Sequence, residues 1–274
     1  MIGTRARATM WIVQIAAILI AAIVIIPFLM ILLNSFKGIR EAALFRLSLP
    51  TEWVFSNYVK VLSTSHIARG FANSLFICGS VVVLGNLFGA MAAFLIQRRG
   101  GRLKLLYTTF ILGLILPVSI IPTIKLMMQL GIHNTYLGII LFYTATALPF
   151  TVFLLTGFLK SIPREMDEAA LVEGSSFFRL FFQIIMPLIS PALITVTIVV
   201  TVNTWNDFFA PFYLISDSRK WTIILQIFSF MSQYQTNWGL VFAFMVIVVS
   251  PVLIIYLVLQ KHILAGLTAG SVKG

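Results

Sequence analysis

Acidic side chains are scarce in this sequence. Eight Asp and Glu stand among 274 residues, and all charged types together make up 10%, against about 25% in an ordinary soluble domain. Hydrophobic residues make up 60% and the mean hydropathy is +1.04, more apolar surface than one core of a water-soluble chain hides. Lipid is the solvent this composition suits. Cysteine is nearly absent: Cys78 stands alone inside an apolar run, which excludes an intrachain disulfide or a CxxC metal site and reads as a small buried apolar side chain. The three histidines, His66, His133 and His262, are far apart and make no metal-ligand spacing. A GxxxxGK[ST] loop is missing, and the Gly100-Gly101 pair sits in a basic turn, so no nucleotide or other cofactor is expected on this chain. The two halves show no internal repeat, which speaks against many secondary transporters. The apolar runs also hold no cluster of His, Asp, Glu and Ser of the kind a membrane-embedded enzyme needs.

What is present is positive charge in short clusters. The net charge of +11 would suggest a nucleic-acid partner in a soluble protein. Here the basic residues lie between apolar runs, without a basic face interleaved with aromatics, and the positive-inside bias of membrane proteins explains them better.

Charge-free stretches mark six expected transmembrane helices. Trp11–Leu33 follows Arg5 and Arg7 and is too long for the apolar region of a signal peptide. At 1.5 Å per residue it reaches about 34 Å, enough for a hydrocarbon core of about 30 Å. A polar outer segment occupies 34–70, and Phe71–Ile96 is the second span. Arg98, Arg99, Arg102 and Lys104 form a basic knot before the third, Leu105–Ile124, in which Pro117 and Pro122 should kink or end the helix. Tyr136–Leu159 is the fourth, and Ala192–Phe212 is the spanning part of the fifth apolar run. From Trp221 to Gln260 no residue is charged, and the polar string from Gln233 to Asn237 divides this stretch. Trp221–Ser232 is short enough to be re-entrant or interfacial, and Trp238–Leu259 is the sixth span.

Basic residues near span ends set orientation. With both termini inside, cytoplasmic segments carry eleven Lys and Arg and outer ones eight, and the four-residue knot beside spans two and three weighs more than the totals. The expected topology is N-in, C-in, with 34–70 outside and with 160–179 and the tail 261–274 in the cytoplasm.

The 160–179 segment holds four of the eight acids: Glu165, Asp167, Glu168 and Glu173. Pro163 suits the first turn of a helix, and the acids behind it complement the positive end of the helix dipole. Gly174 can take the left-handed conformation that stops a helix, and Ser175 or Ser176 can cap the next one. Local physics allows two readings of this helix–turn–helix: an amphipathic cover over the bundle end, or a docking surface on which small alanines admit a partner.

Glu168-Ala169-Ala170, with Gly174 four residues on, Ile184 ten beyond that and Pro187 three later, resembles the EAA motif of ABC importer permeases. Met186 stands where that family usually has leucine, a volume-conserving difference. Leu49-Pro50, Asn57-Tyr58, Asn73-Ser74-Leu75, Trp205-Asn206-Asp207-Phe208 and the Gly266–Gly274 tail resemble the sugar-importing branch, particularly its maltose-type second permease subunit. The similarity covers nearly the whole chain.

The resemblance implies the all-α architecture of a type I importer permease in the bacterial cytoplasmic (inner) membrane. The loop would then be the coupling helix that docks on a cytoplasmic ATPase dimer, with Glu168 supplying charge, Ala169 and Ala170 close approach, Gly174 the turn, and Arg164 and Asp167 flanking. It further implies a second homologous permease subunit, an extracytoplasmic solute-binding protein and a sugar substrate. No catalytic residue and no covalent chemistry are expected. An importer for another solute, such as a polyamine or phosphate, is the alternative within the class, and a secondary transporter the one outside it. The glycine-rich tail is expected to reach toward the ATPase pair.

Asp207 is the one acid within an expected span, so it should face protein or a water-filled cavity. Two readings stay open: a pathway residue that binds sugar hydroxyls together with Asn206, or a structural partner at the membrane edge near Pro211. Trp205 can stack on a sugar ring or pack between helices.

Overall fold

The computed structural model describes residues 4–101, 103–231 and 236–269. They fold into helices joined by short turns, with no strand among the described residues. The chain divides into two compact units, one made of Met1–Ala68 and Gln226–Ser250, the other of Arg69–Leu225 and Pro251–Gly274.

The first unit contains α1 (Thr4–Ser35), α2 (Ile39–Ala42) and α3 (Ser56–Ser63). From Met10 onward α1 is apolar and long enough to cross a bilayer, and its apolar side chains lie exposed, as a lipid-facing helix requires. The segment after α1 then folds on a polar knot. Lys37 is fully buried, and its Nζ donates to the Arg46 carbonyl at 2.8 Å and to Ser48 Oγ at 3.2 Å. Asn57 Nδ2 donates to the Ser35 and Lys37 carbonyls at 2.9 and 3.0 Å, and Tyr58 Oη meets Ser35 Oγ at 2.7 Å. The Asn57-Tyr58 pair singled out in the sequence thus closes the loop that follows α1. Burial of the Tyr58 phenol raises its pKa.

The second unit is built on α4 (Ser65–Arg99), α5 (Leu103–Ile115), α6 (Ile120–Gln129) and α7 (Tyr136–Leu159). Next come a short helix, α8 (Glu165–Val172), then α9 (Phe177–Arg179), α10 (Met186–Leu188), α11 (Ser190–Asn206) and α12 (Phe209–Leu214). The expected fourth span coincides with α7, whose Thr135 cap accepts from the Gly138 amide at 3.0 Å. The expected third span is broken: α5 and α6 are separate helices with Pro117 in the gap, where the ring removes an amide donor and disfavours helix at Leu116. Pro122 is tolerated in the first turn of α6. The fifth span begins near its expected start and ends at Asn206, six residues early.

Upstream of it, Leu180–Ile185 is a π-helical turn leading into Pro187, which has no N–H to continue the α pattern. The segments Phe177–Leu188 and Ser190–Asn206 meet at 74°. Helix α7 packs against α5 and α11 around a core that includes Ile77, Val81, Phe94, Leu155, Ile185 and Val196. Small residues admit the close crossings: a Cβ on Gly113 would stand 3.0 Å from the Pro149 ring.

Four described helices, Met10–Ser35, His66–Arg99, Tyr136–Leu159 and Trp238–Val258, are long and apolar enough to cross a membrane individually, and the bent pair can form a fifth span. Helix α13 (Trp238–Ala269) starts where the sixth span was expected and runs ten residues beyond its expected end at Leu259. That carries helix into the glycine-rich tail as far as Ala269. Residues 270–274, and Gln233 to Gln235 of the polar string, lie outside the described residues. The short segment before that string forms a 3-10 helix over Ile223–Phe230.

Candidate functional site

The 160–179 segment folds as its sequence indicates. Helix α8 carries Glu165, Asp167 and Glu168 in its first turn, with Arg164 as the N-cap; Pro163 precedes that cap and so lies outside the first turn expected for it. At the other end the Ser175 amide donates to the Ala170 carbonyl and the Gly174 amide to the Leu171 carbonyl, each at 3.0 Å. Gly174 has φ +79°. This pair of bonds is a Schellman stop, and it requires a left-handed residue where glycine stands. Ser176 Oγ then accepts from the Arg179 amide at 3.3 Å and starts the next turn.

A charged clamp fixes α8 to the end of α4. Arg98 Nε lies 2.6 Å from Asp167 Oδ2, its Nη2 donates to Oδ1 at 3.1 Å, and both side chains are about nine-tenths buried. Arg98 Nη1 also donates to the Ile162 carbonyl at 3.2 Å, and Arg164 Nη2 to the Gln97 carbonyl at 3.1 Å. Three links therefore tie the start of the loop to the last residues of α4. The fork geometry of a guanidinium suits a bidentate carboxylate with a carbonyl beside it.

The candidate coupling residues separate into two groups. Asp167 and Ala170 face inward, Asp167 onto Arg98 and Ala170 into the hydrophobic core. Arg164, Glu168, Ala169 and Gly174 face outward. Only one of the two alanines read as admitting a partner is therefore on the free face. Met166, Leu171, Val172 and Phe178 also expose 41, 54, 89 and 71% of their surface, interspersed along the loop with the exposed acids Glu165, Glu168 and Glu173.

The second candidate group lies at the end of α11. Asp207 leaves the helix in an extended conformation and caps α12: its Oδ1 accepts from the Phe209 amide at 2.9 Å and the Ala210 amide at 3.4 Å. Oδ2 accepts from Tyr143 Oη at 3.0 Å. Asn206 and Asp207 line a pocket of about 500 Å³ between α7 and α11, together with Phe142, Thr146, Phe150 and Asn203. Trp205 is not in it. That ring is buried, edge-on to Phe71 at 5.5 Å, and packs between helices.

Elsewhere in this unit, Asn73 Nδ2 donates to the Arg219 and Trp221 carbonyls at 3.0 and 2.9 Å, and Ser74 Oγ accepts from the Ile223 amide at 2.8 Å. The Asn-Ser pair at the start of the second span holds the 219–223 segment. No group of three or more His, Cys, Asp or Glu comes together to hold a metal among the described residues.

A family model described as "binding-protein-dependent transport system inner membrane component" matches residues 85–268, which include the clamp, α8 and the pocket. The chain belongs to that family. It is a membrane-spanning permease subunit of a binding-protein-dependent importer, a transport component and not an enzyme. A diacetylchitobiose uptake system permease protein of Streptomyces coelicolor is 36% identical over 262 residues, covering 93% of this chain and 86% of that protein. A melibiose/raffinose/stachyose import permease protein of Bacillus subtilis is 31% identical over 270 residues, covering 97% and 98%. In structure the chain is similar to one in a crystal structure of a bacterial ABC transporter involved in the import of the acidic polysaccharide alginate. That match has a TM-score of 0.85 at 22% identity and covers 95% of this chain and 98% of that one. It establishes the all-α permease fold.

In the sequence Arg98 reads only as a topology signal, and Tyr143, Thr146 and Asn203 do not stand out. Asn203 had a usable signal: it stands three residues before Asn206, on the same face of a helix.

Proposed function

We propose that this permease imports a sugar or oligosaccharide across the bacterial cytoplasmic membrane, paired with a second homologous permease subunit and driven by a cytoplasmic ATPase dimer. The substrate class follows the relatives, whose names specify diacetylchitobiose and the melibiose, raffinose and stachyose group. An extracytoplasmic binding protein delivers the sugar, and the chain crosses the membrane six times with both termini inside.

The observation that carries the coupling reading is the two-sided construction of α8. Its inner face is fixed by Asp167 and Ala170, and its outer face presents Glu168, Ala169 and exposed apolar side chains. A surface that mixes exposed acids with exposed apolar side chains suits a protein groove that offers both basic and apolar groups. A helix clamped to α4 transmits a push from that groove into the bundle. In this arrangement Arg164 and Asp167 position the helix, Gly174 aims it, and Glu168 and Ala169 make the contact.

Glu168→Lys reverses a charge on the free face and touches nothing inside the fold. It should reduce co-purification of the ATPase with the permease pair and abolish radiolabelled sugar uptake into vesicles, while membrane insertion stays at the wild-type level. Gly174→Ile forces a β-branched residue to φ +79°, a strain of about 1–3 kcal/mol, and should uncouple hydrolysis from uptake. If both variants recruit the ATPase and transport normally, α8 is only a cover over the bundle end.

A further inference from the structure

We propose that residues 47–63 form an interfacial anchor lying in the outer phospholipid leaflet, with Phe55, Val59 and Leu62 at the acyl boundary and Lys60 at the phosphates. The proposal rests on the topology above and goes beyond it, because a segment on the outer side would otherwise stand in water.

The first support is the construction of α3, which has three sides. Asn57 and Val61 are buried against the protein. Phe55, Val59 and Leu62, spaced i, i+4 and i+7 from the cap of the helix, expose 62, 66 and 59% of their surface and share one stripe. Ser56, Lys60 and Ser63 have the same spacing and are exposed on the stripe beside it. The helix therefore buries an asparagine and turns large apolar side chains outward, next to a polar side with one cation. Water on every free side would reward no such arrangement. A helix lying in a membrane interface touches protein, acyl chains and water at once.

The second support is the attachment of α3. Asn57 Nδ2 holds the Ser35 and Lys37 carbonyls, and Tyr58 Oη meets Ser35 Oγ, so the helix is fixed to the last residue of α1. Phe36 follows, with its ring centroid 5.4, 5.3 and 5.1 Å from those of Trp53, Phe55 and Tyr58. The apolar part of α1, Met10–Ser35, has 26 residues, about 39 Å at 1.5 Å per residue. Centred on a hydrocarbon core of about 30 Å, it ends about 5 Å beyond the edge, inside the headgroup layer. The four rings thus stand at the level where aromatic side chains collect in membrane proteins. None of the most apolar window of α1 is buried, so the stripe on α3 continues a surface that already faces lipid.

The third support is the chain leading into α3. Leu47, Leu49 and Trp53 are exposed as well, and an apolar side chain of this size left in water forgoes about 1.5–3 kcal/mol. A soluble partner that docks and leaves would uncover these residues between encounters, whereas a bilayer covers them throughout. The Lys60 stem can lie along the helix while its ammonium reaches a lipid phosphate.

The test attaches a nitroxide to single thiols at Val59→Cys, Leu62→Cys and Ser56→Cys, each in a Cys78→Ala background. The permease–ATPase assembly is reconstituted in phospholipid vesicles. Collision with oxygen, which concentrates in lipid, is compared with collision with a water-soluble nickel chelate. Oxygen should win several-fold at 59 and 62, and the chelate should win at 56. Chelate access at 59 and 62 equal to that at 56 would mean a loop in water. Access by neither reagent at 59 and 62 would mean a covering protein, either the second permease subunit or the binding protein. Both results overturn the anchor and leave the topology standing. A membrane-impermeant maleimide applied to right-side-out vesicles tests the topology by itself, and it should label Ser56→Cys. Labelling only after the vesicles are opened would overturn the topology and the outer-leaflet placement together, whatever the collision ratios.

Discussion

Asp167 and Asp207 are both carboxylates drawn into the protein next to a helix end, and they are satisfied in opposite ways. Asp167 faces a guanidinium from α4, 69 positions away in sequence, at 2.6 Å. Asp207 receives only neutral donors, the Tyr143 hydroxyl and the first amides of α12. The first arrangement cancels charge and ties two helices together, which suits a part that must carry force. The second satisfies hydrogen bonds without cancelling charge, so a negative potential remains in the pocket. The first site holds two helices together, and the second leaves its charge uncancelled beside an open pocket.

The largest expected effect comes from breaking the first arrangement. Arg98→Ala leaves Asp167 without its cation and frees the Ile162 carbonyl, and losing one member of a buried pair costs about 3–5 kcal/mol. Sugar uptake should fall to background while the protein still inserts. The reversed pair, Arg98→Asp with Asp167→Arg, should restore part of the uptake, because the ionic contact returns but the bond to Ile162 does not. Absence of rescue, with both single variants well folded, would show that the clamp does more than join α4 to α8.

The comparison sharpens when both acids receive one isosteric change. Asp167→Asn removes the charge facing Arg98 and leaves a buried guanidinium with a neutral partner. Asp207→Asn retains an oxygen for the Phe209 and Ala210 amides, and asparagine is as good a cap as aspartate. Thermal unfolding in detergent should therefore show a clear loss for the first variant and a shift within about 1 kcal/mol for the second. Equal losses would mean that the charge at Asp207 is structural.

The same two acids show how much could be read beforehand. Gly174 and Ser176 were legible because a helix stop and a cap are local, set by residues within a few positions of one another. Helix α7 was legible because its apolar run is bounded on both sides by polar turns. The Arg98–Asp167 pair was not legible. The basic knot already had a sufficient reason in topology, and nothing local joins residues so far apart. Nor did the sequence separate Ala169 from Ala170, since which alanine faces inward depends on where the bundle lies. Asp207 was placed inside a continuous apolar span running to Phe212, yet the helix ends one residue before it. Its place ahead of Phe209, Ala210 and Pro211 was the available cue for a new cap, hidden because the hydrophobic run continues across the break. The third span misled in a related way: composition stays apolar through Pro117 although the backbone does not stay helical.

The smallest effect probes the second arrangement alone. Tyr143 donates its hydroxyl to Asp207 from a ring that is itself part of the core. Tyr143→Phe keeps the ring and removes that one donor, while the two backbone amides remain on Oδ1. A net hydrogen bond to a charged group contributes about 1.5–3 kcal/mol. With two amides still on the carboxylate, the unfolding shift should fall at the low end of that range, below the loss from Arg98→Ala. Transport should respond differently from stability. With one restraint gone the carboxylate can turn toward the pocket, and the half-saturating sugar concentration should change more than the maximal rate. Combining Tyr143→Phe with Asp207→Asn should give less than the sum of the separate effects, since each removes the same bond. Strict additivity in uptake and stability alike would show that the hydroxyl and the carboxylate act independently, and the pocket's negative charge would then be held by the α12 amides alone.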